Sequence, residues 1–382
     1  MEYVLKNYLL VLTFILTTIF TTAFAQDSQK GFNAHRLGNW AVAMQELKPL
    51  AEKGDPMAQT IIGELYLRGK GVSKNYEEAS KWYKLAAIQG VNIAQSIMGG
   101  MYQGGIGVPQ DFKEAIKWYS LAAKQGVASS QLALGEMYEF GEGVAQDYEE
   151  ALNWYRLSAD QGNPNAQNTI GVLYRDGKGV KQSHTEALKW FLIAAEQGQN
   201  EAQYSVGLAN DIGRGTIQNY QEALKWYRLS ADQGNSYAQH NLAIMYSSGH
   251  GVIQDFDQAF YWSQLSAVQG NPNAQYSLGF SYLKSEGVPR DFGIAAKWFR
   301  LSANQGMHQA QGILGQLYQN GDGVMKDNIK SHMWFNIASA NGNQYSGEKR
   351  DELAKVMSAS DISAAQNIAR KCLASNYRDC DN

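Results

Sequence analysis

The chain has 382 residues, 44% of them hydrophobic, 12% aromatic and 18% charged, enough apolar material for a large core and too little charge for a disordered polymer. Its 38 glycines stand against 6 prolines; linkers and collagen-like chains are rich in both, so glycine alone in excess points to helices that stop often in left-handed turns. With 33 basic and 36 acidic side chains, a net charge of -3 and a pI near 6.1, the composition carries no electrostatic footprint for nucleic acid or for a polybasic membrane contact.

Residues 1–25 have the pattern of a secretory signal peptide. Lys6 is the positive n-region, Tyr8 to Phe20 is an uncharged apolar run, and Ala23 and Ala25 form the small-x-small cleavage pattern, so cleavage after Ala25 is expected. The alternative is an uncleaved anchor, because Asn7 to Gln26 is free of charge and just long enough to span a bilayer. No cysteine follows the cut, which argues against a lipoprotein. No later segment is long and apolar enough to cross a membrane, so no stable anchor is expected after cleavage. The mature chain has no N-x-S/T sequon, which favours a bacterial envelope protein. The expected location is the periplasm of a Gram-negative bacterium, or the exterior after secretion.

Tryptophan sets the period. Trp82, Trp118, Trp154, Trp190, Trp226, Trp262, Trp298 and Trp334 are spaced 36 residues apart. A fixed step of that size means a repeat array. Glutamine recurs at Gln59, Gln95, Gln131, Gln167, Gln203, Gln239, Gln275 and Gln311, and glycine closes each unit from Gly90 to Gly342. Eight units run without insertion over 55–90, 91–126, 127–162, 163–198, 199–234, 235–270, 271–306 and 307–342.

Each unit reads as two helices. In the first, Ala58, Ile62, Leu65 and Tyr66 share one helical face. Gly69-Lys70-Gly71 breaks the pattern, and Asn75 with Glu78 resembles a capping box. Tyr76, Ala79, Trp82, Tyr83, Ala86 and Ala87 follow at helical spacing, and Gly90 stops the helix. Gly63 sits inside a helix at a propensity cost of about 1 kcal/mol, yet glycine recurs there in every repeat except at Ala243, which implies a close neighbour. Ser263 departs from the aromatic that follows tryptophan elsewhere.

The unit A-Q-x-x-x-G-x-x-Y-x-x-G-x-G-V-x-x-D-[YF]-x-E-A-x-x-W-Y-x-x-A-A-x-Q-G resembles the Sel1-like repeat, a relative of the tetratricopeptide repeat. The resemblance covers residues 55–342. It implies an all-α fold, a right-handed α/α solenoid of eight helix-turn-helix repeats, about 80 Å long at ordinary helix spacings. Residues 26–54 look like a partial leading repeat and cap, with Trp40 standing where Tyr76 stands one period later. Residues 343–382 form the expected C-terminal helical cap, with helices over 350–357 and 362–373 and with Ser358 and Ser360 available as N-caps.

Cys372 and Cys380 are the only cysteines. In an oxidising compartment such a pair is expected to form a disulfide; free thiols or a redox pair are the alternatives, although no C-x-x-C is present. No zinc-type spacing of His and Cys occurs and no cofactor is expected. Ser346-Gly347-Glu348-Lys349 matches the S-x-x-K of serine β-lactamases but lacks the partner motifs, so chance is the simpler reading. The glutamine column either lines a polar track or satisfies backbone groups at the junctions between repeats.

Function is sought in the columns that vary. Opposite the core face of the first helix, positions 60, 64 and 67 are mixed in the early repeats. In repeats five to seven they become Tyr204, Leu208 and Asp211, then His240, Ile244 and Ser247, then Tyr276, Phe280 and Leu283. The resemblance places this helix on a concave face. Tyr204, Leu208, His240, Ile244, Tyr276 and Phe280 therefore form either a binding patch for a protein or peptide segment or extra core between neighbouring helices. The expected function is a non-enzymatic exported interaction scaffold. A β-lactamase-like or cell-wall-fragment hydrolase and a purely structural envelope component are the alternatives.

Overall fold

A computed structural model describes residues 29–378 and 380; the expected signal peptide, residues 1–25, lies outside the described residues. All regular structure among the described residues is helical. The helices group into two compact units that divide between Ser183 and His184. In the first, α1 (29–36) precedes α2 (Trp40–Glu52), α3 (Pro56–Arg68), α4 (Tyr76–Ile88), α5 (Asn92–Gly104), α6 (Phe112–Lys124), α7 (Ala128–Phe140), α8 (Tyr148–Asp160) and α9 (Pro164–Asp176). The second holds α10 (His184–Glu196), α11 (Asn200–Ile212), α12 (Tyr220–Asp232), α13 (Ser236–Ser248), α14 (Phe256–Val268), α15 (Pro272–Lys284), α16 (Phe292–Ala303), α17 (His308–Asn320), α18 (Asn328–Ala340), α19 (Gln344–Ala354) and α20 (Ala359–Ala374). Within each unit helices packed together are mostly sequence neighbours, as in an all-α solenoid.

The period tryptophans are not the centre of the core. Trp82, Trp118, Trp154, Trp190 and Trp298 are only half-buried. The aromatic after them goes inside: Tyr83, Tyr155, Tyr227, Phe299 and Phe335 are almost fully buried. Each lies flat against the glycine inside its own first helix. A Cβ at Gly99 would stand 2.5 Å from the Tyr119 ring, at Gly207 2.6 Å from Tyr227, and at Gly315 2.6 Å from Phe335. The glycine column is therefore a groove for a ring, and its helix-propensity cost is offset by burial of that aromatic.

The turn glycines have another reason. Gly107 has φ +69°, and a Cβ there would stand 2.0 Å from the Tyr76 carbonyl oxygen. The turn of one repeat thus rests directly on the start of the second helix of the repeat before.

Half of the expected capping box forms. Asn75 Oδ1 accepts from the Glu78 N–H at 3.0 Å, and Asp111 Oδ1 accepts from the N–H of Lys113 and Glu114. The return bond from the glutamate does not form, because the Asn75 N–H already donates to the Tyr66 carbonyl at 3.0 Å. Glu78 pairs instead with Lys81 one turn on, and Glu114 with Lys117.

At the C-terminus α19 begins at Gln344, earlier than expected, with Asn343 as its N-cap at 3.0 Å from the Ser346 N–H. It continues the repeat: Ser346 occupies the position of the buried alanine at Ala310. Ser358, not Ser360, caps α20.

Candidate functional site

The six varying residues fall on three first helices of the second unit: Tyr204 and Leu208 on α11, His240 and Ile244 on α13, Tyr276 and Phe280 on α15. Ile244 is 44% exposed; the other five are half-buried. Tyr204 leans on Tyr227 and Tyr237, with ring centroids 5.9 and 6.0 Å away. Tyr276, Phe280 and Phe299 form an edge-to-face triad at 4.9, 5.8 and 5.3 Å. These side chains are neither fully buried nor fully exposed. Tyr204, Tyr276 and Phe280 each pack one side on neighbouring rings, and part of each meets solvent. His240 Nδ1 is buried without a hydrogen-bond partner among the described residues, and burial pushes the imidazole down to about 4.

In repeat six two departures from the repeat columns meet at one place. Ala243 stands at the ring-groove position and Ser263 where the ring should be, and both are buried. A ring at 263 would clash with the Ala243 Cβ, and Ser263 removes that clash. The ring that is missing leaves a cavity of about 160 Å³ between α13, α14 and α15, lined by Ala243, Ile244, Ser247, Ser263, Tyr276 and Phe280 among others. One repeat earlier, Tyr227 lies on Gly207, reaches Asp211 with its hydroxyl at 3.1 Å and hydrogen-bonds Asn241. One period later those three positions are Ala243, Ser247 and Ser277, and all three line the cavity. The signal was available in sequence as a coupled glycine-and-aromatic pair twenty residues apart.

The glutamine column is structural. Each of the eight donates Nε2 to the carbonyl of the alanine eight residues earlier, at 3.0–3.2 Å. Within each unit its Oε1 accepts from the amide that precedes the closing glycine, as Gln89 to Gln59 at 2.8 Å, Gln125 to Gln95 at 2.7 Å and, in the last repeat, Asn341 to Gln311 at 2.9 Å. The inner glutamines are buried, and both ends of their amides are engaged in this way.

The S-x-x-K residues make no catalytic pair. Ser346 is buried in the alanine column, and the Lys349 ammonium is ion-paired with Glu352 at 2.8 Å and lies over the Tyr345 ring. Among the described residues no group of His, Cys, Asp and Glu is arranged to hold a metal ion, and no helix is long and apolar enough to cross a membrane. Cys372 and Cys380 are at disulfide distance, with Cα atoms 4.5 Å apart. Cys372 sits in the core with Ala369 and Trp334, and the Tyr377 hydroxyl donates to Asn341 at 3.1 Å.

Paired helices stitched by buried glutamines, with a varying face on the first helix of each pair, define a helical-repeat protein of the tetratricopeptide-like kind. The family model described as Sel1 repeat matches eight times in succession, at residues 56–91, 92–127, 128–163, 164–199, 200–235, 236–271, 272–307 and 308–343. The chain belongs to the Sel1 repeat family, whose members are generally protein-interaction scaffolds. Among solved structures it is similar to a Sel1 repeat protein from Oxalobacter formigenes, at 35% identity and TM-score 0.63 over 81% of this chain and 90% of that one. It is also similar to a protective antigen present in uropathogenic Escherichia coli strains, which displays an SLR fold, at 29% identity and TM-score 0.51 over 93% and 96% of the two chains. No curated protein matches it.

Proposed function

We propose that the protein is an exported, non-enzymatic scaffold that binds a protein or peptide segment across the first helices of repeats five to seven. One observation carries this reading: three consecutive first helices present aromatic and aliphatic side chains at positions that are Thr60 and Glu64, or Ser96 and Gly100, in the early repeats. Apolar groups that are partly exposed and rigidly backed suit polypeptide recognition, because little side-chain entropy is lost on binding. The disulfide-spaced cysteines fit an oxidising compartment, and with the expected signal peptide they support a periplasmic or secreted location. No residue arrangement supports the hydrolase alternative as specifically.

The test is affinity capture from envelope extract with wild type, with Ile244→Lys, and with Tyr276→Ala/Phe280→Ala. A partner held by wild type and lost by both variants, each shown to be folded by circular dichroism, supports the reading. Equal capture by Ile244→Lys and wild type rejects this face as the binding surface. Turnover of a cell-wall substrate would reject the non-enzymatic assignment.

A further inference from the structure

We infer that repeat six carries a vacant ring seat, which takes the tyrosine or phenylalanine side chain of a bound polypeptide. Seven repeats supply an aromatic residue at this position from their own chain: Tyr83, Tyr119, Tyr155, Phe191, Tyr227, Phe299 and Phe335. Only Ser263 breaks the series. A cavity remains beside Ala243 and Ser263, so the seat is neither collapsed nor refilled. Its volume of about 160 Å³ matches that of an apolar cavity of about 150 Å³ known to hold a benzene ring.

The seat has the polarity of a place for an aromatic side chain. Ala243, Ala259 and Ile244 and the ring edges of Phe280 and Tyr276 from the next repeat supply apolar contact, and four serines with Glu286 supply polar groups beside them, a mixture that suits the ring and hydroxyl of a tyrosine best. Ser247 stands where Gln103, Glu139 and Asp211 accept the hydroxyl of the resident tyrosine in their repeats, at 3.0, 2.7 and 3.1 Å. Ala243 and Ser263 are buried, while Ile244 and Phe256 at the rim are exposed, so the seat opens to solvent beside the varying face. The identity of the ring donor rests on the proposed polypeptide-binding function; the seat itself does not.

The probe is p-cresol, the tyrosine side chain without its backbone, titrated into the full chain and followed by NMR of the Ala243, Ile244 and Ala259 methyl groups. The expected result is saturable shifts at those methyls, with affinity reduced about tenfold or more in the refilled variant Ala243→Gly/Ser263→Tyr. Ser263→Leu is a second filler should the double variant fold poorly. Absence of saturable shifts in wild type, or equal response in a folded filler variant, overturns the seat whatever the fate of the groove. A polypeptide captured by wild type and rejected by the refilled variant supports the assigned donor. One captured equally by both overturns that donor while leaving the groove reading intact. Wild type that dimerises through the seat, with the refilled variant monomeric, overturns it in favour of a second copy.

Discussion

Gln89 donates its side-chain amide to Gln59 at 2.8 Å, and Gln59 donates onward to the Ala51 carbonyl at 3.0 Å. Three consecutive helices are joined by this two-step relay, and it recurs along the chain. The acceptor carbonyls lie in the last turn of the preceding helix, where no intrahelical partner is available for every oxygen. The Ala51 carbonyl already accepts from the Gly54 N–H at 3.0 Å, so the relay fills the second lone pair of an oxygen at a buried helix end.

Removing the centre of a relay should cost more than removing its outer member. Gln95→Ala removes two bonds at once, although the Ala87 carbonyl keeps that from the Gly90 N–H and the Gln125 amide keeps that to the Gly90 carbonyl, a loss of about 2 kcal/mol. Gln125→Ala, at the exposed end, should cost about 1 kcal/mol. Urea denaturation of both variants checks the order; equal midpoints would contradict the relay.

Ala243 and Ser263 should behave as a coupled pair. Ser263→Tyr alone drives a ring into the Ala243 Cβ and should destabilise by about 1–3 kcal/mol. Ala243→Gly alone should cost about 1 kcal/mol of helix propensity. The double variant should be at least as stable as wild type, so the cycle should show a coupling energy of about 2 kcal/mol or more. Thermal unfolding of the four proteins measures it, and additive effects would show that the two positions do not share one site.

Stability should fall on mild acidification. His240 is held neutral by burial, down to about 4 from 6.5, so the unfolded chain takes up its proton first as the pH drops. The stabilisation is complete above about pH 6.5 and is lost progressively down to about pH 4, amounting to no more than about 3 kcal/mol. His332 is shifted in the same direction, by burial and then by Arg350. His240→Gln should flatten the difference in melting temperature between pH 7 and pH 4.5 relative to wild type. An unchanged slope would show that the imidazole is solvated.

Reduction should loosen the C-terminal end without melting the repeats. Closing the short loop from Cys372 to Cys380 contributes about 2.5 kcal/mol by chain entropy. Cys372→Ser/Cys380→Ser should raise amide hydrogen exchange around Tyr377 and α20 while α11 to α15 stay protected. Uniform loss of protection would mean that the end cap supports the whole second unit.

Much of the architecture is legible in sequence because each unit repeats its own evidence. Helix pairs, turn glycines and the stop after glutamine all follow from columns that agree in at least seven of the eight units, with Ser285 and Asn341 the departures. The roles inside a column are harder to read. Tryptophan announces the period yet lies mostly at the margin, while the residue after it fills the centre; periodicity marks a face and not a depth. The half-capping box was hidden because the Asn75 N–H is taken by Tyr66, a contact across the turn. The start of α19 is not legible because Ser346 and Gly347 stand where the Ala-Gln signature would be. At the candidate site, the columns identified which residues stand together, but Tyr204, Tyr276 and Phe280 could not be assigned to core or surface until the rings packed beside them were known. Ala243 and Ser263 were each visible, and only the contact between their columns makes them one change.

The turn that sets Gly107 against the Tyr76 backbone fixes more than a conformation. It ties the length of every connection to a landing point on the preceding unit, so 36 residues acts as a lattice constant. An extra residue in such a turn would misplace every unit after it, whereas a whole unit can be copied or excised with both of its joints still matching. The array is therefore built to change in number and in surface lettering, and to resist change in spacing.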